Sequence, residues 1–220
     1  MKISVIGTGR MGKGLVSVLA HQVTTLQWAS RTPDKAQELI KRYSLPPTVQ
    51  AAGYEEALES DVLFHTLWFR DVMPWAQSHR EKLRGKILVD VTNPFTEDFN
   101  DFTTEWGSSA AEELQKVLPE TFVVGAFKNT FFQVFDRPLH QELKSDVYVT
   151  GDDDNARQAV MELLKGIPFR VLDGGRLANN RTIERMTLFE REVAIRYGNY
   201  PYVSFRMFGL NETGLQSATQ

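Results

Sequence analysis

The chain has 220 residues, 42% apolar and 24% charged, enough for one large domain, or one domain with a small appendage, around an ordinary core. It contains no cysteine, so disulfides, thiolate zinc sites and a thiol nucleophile are excluded. The formal net charge of −3 argues against a nucleic-acid partner, because neutralising phosphates takes a basic face.

No apolar run approaches the ~20 residues that span a bilayer, so no membrane contact is expected. The opening MKISVIG lacks the apolar h-region and cleavage site of a signal peptide, and a cytoplasmic location is expected. KISVIG is a short apolar run closed by glycine and reads as a buried parallel strand. Met11, Leu15, Val18 and Leu19 then repeat at helical spacing. Residues 24–30 (TTLQWAS) predict a second strand, and Pro33 suits the first turn of a helix over 33–43. Residues 62–68 and 86–93 are further strands, with a helix over 71–83 between them. A helix follows from Gly107 with serine as its cap, then a strand over 121–127. Strands alternating with helices predict a doubly wound parallel sheet of the Rossmann type.

The period lapses after Lys128. It resumes with a strand at 146–152, a helix carrying Ala156, Ala159, Val160, Leu163 and Leu164, a strand at 169–175 and a long helix over 176–198. A boundary near residue 140 is expected. Residues 1–140 would form the dinucleotide-binding domain. Residues 141–220 would form a small α/β lobe packed on it, with substrate-side and dimer contacts.

Gly7, Gly9 and Gly12 match G-x-G-x-x-G between a strand and a helix. The first makes the tight turn, the second admits a pyrophosphate, and the third lets helix and strand pack closely. Gly7, Thr8, Gly9, Arg10, Met11 and Gly12 are therefore expected to cradle a dinucleotide at the helix N-terminus. The alternative is a plain glycine-rich strand-to-helix turn. An acidic residue usually closes the second strand and binds the ribose. Ser30 and Arg31 stand there instead, with Lys35 one helical turn on. A guanidinium fork and a hydroxyl suit a 2′-phosphate, which selects NADP(H) over NAD(H). The alternative is that Arg31 is a solvated turn residue.

VIGTGRMGKGL, ASRTPDKAQEL, ESDVLFHTLW, KILVDVTNP, VVGAFKNT, TGDDDNARQAVMELL and LDGGRLANNRTIE occur in that order. In these the chain resembles the NADP-dependent coenzyme F420 oxidoreductases. Their wider group includes the nucleotide-binding domains of the STEAP-type ferric reductases. The resemblance runs from Met1 to about Gly198. It implies a Rossmann domain with a small lobe, a nicotinamide across the strand ends, and a flavin or deazaflavin (F420-like) ring stacked against it. Such hydride transfer needs orientation and exclusion of water rather than a nucleophile, and no catalytic residue is singled out. The chain departs from the family twice: Trp68-Phe69-Arg70 stands where Pro-Trp is common, and Lys128-Asn129 where a histidine is common.

The nicotinamide is expected against strand ends bearing Leu67, Trp68, Asn93 and Ala126, and its redox partner against Trp68, Lys128, Asn129 and Phe131. Reduction of a small imine or carbonyl, with Lys128 or Thr130 as proton donor, is one alternative. A non-enzymatic NADP(H)-sensing module is another. The four histidines have no metal-ligand spacing, and His65 reads as a core residue. Asp152, Asp153 and Asp154 read as helix capping, so no metal is expected. Phe95, Phe99, Phe102 and Trp106 step by four, three and four residues, which predicts a helical stripe, either core or a lid. A homodimer is expected through the long helix and the apolar segment 202–210.

Overall fold

The computed structural model describes residues 1–210. Its first half comprises β1 (Ile3–Ile6), α1 (Arg10–Leu19), β2 (Leu26–Ser30), α2 (Pro33–Arg42), β3 (Val49–Gly53), α3 (Tyr54–Ala57), β4 (Val62–His65), α4 (Phe69–Ser78), α5 (Arg80–Leu83) and β5 (Ile87–Asp90). There follow α6 (Ala110–Val117), β6 (Phe122–Gly125), β7 (Leu139–His140), β8 (Leu143–Lys144), β9 (Asp146–Gly151), α7 (Asp154–Leu164), β10 (Arg170–Gly175) and α8 (Asn180–Arg196).

Eight strands form one sheet in the order β3-β2-β1-β4-β5-β6-β9-β10. All neighbours are parallel except β6 and β9. Strand direction of growth reverses between β1 and β4, which creates the crevice where ligands bind in such sheets. The alternation of side chains assigns successive residues to opposite layers. Val5, Trp28, Phe64, Val89 and Val124 pack toward α1 and α7. Ile6, Ala29, Leu63, Leu88 and Val123 pack toward α4 and α6. Both faces are thus covered, which explains why these strands read as continuous apolar runs.

Local chemistry accounts for the element ends. Ser109 caps α6 by accepting from the Glu112 amide at 3.2 Å, and Asp153 caps α7 by accepting from the Ala156 amide at 2.8 Å. Asp152 accepts from the Leu177 amide at 2.9 Å. The helix expected from residue 71 begins at Phe69 and breaks at His79 into α4 and α5. The strand β3 was not expected, because VQAAG holds one β-branched residue among small ones.

The stripe of Phe95, Phe99, Phe102 and Trp106 is not a helix. Phe95 and Phe102 bridge as antiparallel partners, and Phe99 sits between them with φ 59, in the left-handed region that ends a helix. Residues 146–175, expected in the small lobe packed on the first domain, supply β9 and β10 to the main sheet. α8 starts where Asn180 donates to the Thr150 hydroxyl at 2.8 Å, beside the end of β6.

Candidate active site

The glycine turn is fixed from three sides. The Gly7 amide donates to the Ala29 carbonyl at 3.0 Å, the Trp28 indole donates to the Gly7 carbonyl at 3.0 Å, and Thr66 packs against the turn with its hydroxyl on the Ile6 carbonyl. A Cβ on Gly7, at φ +108, would lie 2.4 Å from the Thr66 hydroxyl. A Cβ on Gly12 would lie 2.1 Å from the Gly7 carbonyl. Backbone geometry and packing therefore demand these two glycines. Gly9 differs: its φ is −79 and a Cβ there would meet nothing within 4 Å. Neither strain nor packing in this chain requires glycine at position 9, and the space in front of it is open.

A cleft runs from this turn along the carboxyl edge of the sheet. Gly9, Arg10 and Met11 line it after β1, and Thr66, Leu67 and Trp68 after β4. Val91, Thr92 and Asn93 follow β5, and Thr130, Phe131 and Phe132 follow β6. Phe95, Phe99, Thr187, Arg191 and Tyr200 close the far side. The walls are strongly aromatic: Trp68 and Phe99 meet edge-on at 6.0 Å, and Phe131 and Tyr200 at 5.4 Å. Two guanidiniums stand among them. Arg10 lies over the Phe132 ring at 4.1 Å, and Arg191 lies 5.6 Å from the Tyr200 ring.

Of the residues expected to hold a dinucleotide, the structure brings Gly9, Arg10, Met11, Leu67, Trp68 and Asn93 onto one cleft. Gly7, Thr8 and Gly12 shape the turn beside it. Arg31 and Lys35 are exposed just past the end of β2. Arg31 reaches Tyr54: burial pushes the Tyr54 hydroxyl up, and the Arg31 guanidinium offsets part of that. Ser30 is placed differently from the expectation, since it is buried and its hydroxyl donates to the Thr32 carbonyl. Ala126 is also corrected: it is fully buried in the core and does not line the cleft.

Lys128 and Asn129 were expected to face the redox partner, and both turn inward instead. The preceding Phe127 adopts φ 56, which rotates the chain out of strand alternation. The Lys128 ammonium is fully buried and donates to Asp90 at 2.5 Å, Glu184 at 2.8 Å and the Thr92 carbonyl at 2.5 Å. Burial alone would lower the Lys128 pKa, but the two carboxylates outweigh it and hold it above the ordinary value. Burial alone would raise Asp90, but Lys128 and His65 hold it below the usual carboxylate range. Asn129 donates to the Asp146 carbonyl at 2.9 Å and faces β9. An uncompensated lysine here would be untenable, and Asp90 with Glu184 explains its inward turn. Phe131 lines the cleft as expected.

Thr187, Arg191 and Tyr200 were missed by the sequence reading. Asn180, Glu184, Thr187 and Arg191 step by four, three and four along α8. A polar stripe at helical spacing, on a helix expected to bury an apolar one, was the available signal.

The profile described as NADP oxidoreductase, coenzyme F420-dependent, matches residues 2–94. The chain is 30% identical over 210 residues to the F420-dependent NADP reductase of Methanocaldococcus jannaschii, spanning 90% of this chain and 94% of that protein. The chain belongs to the coenzyme F420-dependent NADP oxidoreductase family. Like the family, it is an NADP-dependent oxidoreductase. This member of the family is also 28% identical over 187 residues to the rat metalloreductase STEAP3, spanning 85% of this chain and 36% of that protein. A crystal structure from Arthrobacter sp. FB24, assigned as an F420-dependent NADP reductase, superposes with a TM-score of 0.77 at 23% identity. It covers 90% of this chain and 95% of that one, and establishes the shared fold. No helix among the described residues is long and apolar enough to cross a membrane.

Proposed function

We propose that this protein moves a hydride between NADP(H) and a flavin or deazaflavin, with both rings held in the cleft at the carboxyl edge of the sheet. The observation that carries this reading is that a single cleft joins the open position at Gly9 to a wall of aromatic rings. The residues present suit the nucleotide. The space before Gly9 suits a pyrophosphate at the N-terminus of α1. Arg31 offers an exposed guanidinium where the ribose lies in such folds. Asn93 spends its amide on the Lys128 carbonyl, and its Oδ1 has no partner among the described residues. That oxygen would accept from a carboxamide.

Bound nicotinamide supplies the hydride; the chain's part is to orient, to exclude water and to balance charge. Trp68, Phe99 and Tyr200 suit the faces and edges of a planar conjugated ring. Arg191 lines the same cavity and makes no ion pair among the described residues, so it suits an anionic edge on that ring. A small aliphatic imine would leave these rings largely uncovered; of its two candidate proton donors Lys128 is buried in the ion network, and Thr130 lines the cleft.

Stopped-flow oxidation of NADPH against F420, FMN and a panel of cyclic imines tests this. Rapid transfer to F420 or FMN is expected. Transfer to an imine alone, or to none of them, would overturn the reading.

A further inference from the structure

Beneath the cleft lies a buried ionic network that hydride transfer as described does not use. His65 at the end of β4, Asp90 at the end of β5, Lys128 after β6 and Glu184 on α8 are each at most 1% exposed. His65 Nε2 lies 3.0 Å from Asp90 Oδ1, and the Lys128 ammonium joins Asp90 Oδ2 to Glu184 Oε1. The other Glu184 oxygen accepts from the Ala110 amide at 2.9 Å, at the N-terminus of α6. From the rest of α6, Glu112 is engaged by Arg181 and Ser109 rather than by the network.

The network is wired to the cleft floor. Lys128 donates to the Thr92 carbonyl, the Thr92 amide donates to Asp90 at 2.8 Å, and Asn93 and Thr187 both donate to the Lys128 carbonyl at 2.7 Å. Thr92, Asn93 and Thr187 all line the cleft. We propose that Glu184 is the proton-exchanging member of this network, and that its charge follows the redox state of the nicotinamide bound above it. This rests on reading the cleft as the nicotinamide site.

The argument is one of charge balance. With Lys128 positive and both carboxylates ionised, the Lys128–Asp90–Glu184 triad carries one net negative charge inside the protein. A proton on Glu184 makes it neutral. Burial and the neighbouring Asp90 favour that proton, while Lys128 and the α6 amide oppose it, and the balance leaves Glu184 raised above the ordinary value. Asp90 is held ionised by two partners and cannot share this role. A nearby positive charge tips such a balance. The oxidised nicotinamide ring is a cation and the reduced ring is neutral. NADP⁺ therefore favours ionised Glu184, and NADPH favours the protonated acid. When NADPH gives its hydride to a two-electron acceptor, the ring gains a positive charge. Release of the Glu184 proton to solvent then restores neutrality, and the acceptor takes up hydride and proton overall. Glu184 acts through charge and position, without touching either ring.

Calorimetric titration in buffers of different ionisation enthalpy counts the protons released on binding. The 2′-phosphate is common to both nucleotides, so it cancels in the difference. NADP⁺ should release up to one proton more than NADPH, and Glu184→Gln should abolish that difference while both nucleotides still bind. Infrared difference spectra should show a protonated-carboxyl band lost with NADP⁺ and retained with NADPH. Equal proton counts in the parent protein, or a difference that survives Glu184→Gln, would overturn the proposal. Failure of both nucleotides to bind would instead remove the nucleotide reading, and the proposal with it.

Discussion

Asn93 and Thr187 converge on one atom, the carbonyl oxygen of Lys128, each at 2.7 Å, although one follows β5 and the other sits on α8. The cleft floor is thereby tied to a backbone segment whose own side chain enters the ion network. Cutting that network should loosen the floor as well as the core. Lys128→Ala should cost about 3–5 kcal/mol, because Asp90 and Glu184 would remain buried without their cation. Urea unfolding at neutral pH measures this. A loss below about 1 kcal/mol would show that the carboxylates find other partners.

Gly9 and Gly12 should respond in opposite ways. Gly12→Ala puts a methyl 2.1 Å from the Gly7 carbonyl and should destabilise the turn, costing on the order of 1–3 kcal/mol. A Cβ at position 9 meets no protein atom within 4 Å, so the fold should survive Gly9→Val while NADP(H) binding is lost. A folded Gly9→Val variant that binds NADP(H) normally would refute the turn as the phosphate site.

Arg31 should set cofactor preference. NADP(H) should bind about 10- to 100-fold more tightly than NAD(H), given ~1.5–3 kcal/mol per charge-assisted hydrogen bond less the screening of an exposed cation. Arg31→Asp should erase the difference. Equal dissociation constants for the parent protein, by calorimetry at moderate salt, would contradict this.

Glu190 imposes a pH dependence. Both its carboxyl oxygens are buried without a partner among the described residues, and burial pushes its pKa up to about 9. The unfolded value lies near the ordinary 4.5. A folded pKa raised in this way contributes stability that is complete below about 4.5 and is lost as pH rises through 9. Glu190→Leu should therefore gain about 1–3 kcal/mol at pH 7 and flatten the decline toward pH 9. Chemical unfolding across that range tests it, and an unchanged slope would locate the decline elsewhere.

A homodimer is expected, because Phe189 and Ile195 on α8 and Met207 and Phe208 beyond it are exposed apolar side chains on contiguous chain. Light scattering at micromolar concentration should give about twice the 25.1 kDa of one chain. A monomeric mass would argue against it.

The sequence exposed the parts of the fold that repeat or punctuate. The glycines after β1, the apolar runs of β4 and β5 and the Ala156–Val160–Leu164 stripe each follow from a local rule. The failures are equally local in cause. VQAAG carries too little β-branched character to announce β3. The four-three-four spacing of Phe95 to Trp106 satisfied a helical template that the Phe95–Phe102 bridge overrides. Lys128 could not be aimed from its neighbours, because the φ 56 at Phe127 and a carboxylate 56 residues away decide its direction. The glycine turn was legible since it is continuous in sequence. The floor and far wall were not, because α8 contributes to both from the other end of the chain.

That separation has a consequence during synthesis. The network's four members are distributed from His65 to Glu184, so its completion depends on contacts of long sequence separation, which form slowly. On the ribosome, Glu184 follows Lys128 by 56 residues, roughly 3–11 s at 5–20 residues/s. Through that interval Asp90 is the only one of the two carboxylates available to the lysine. The nascent N-terminal half can close its glycine turn at once, but the cleft floor stays unsealed until α8 arrives, and this interval is when a chaperone would find exposed surface to hold.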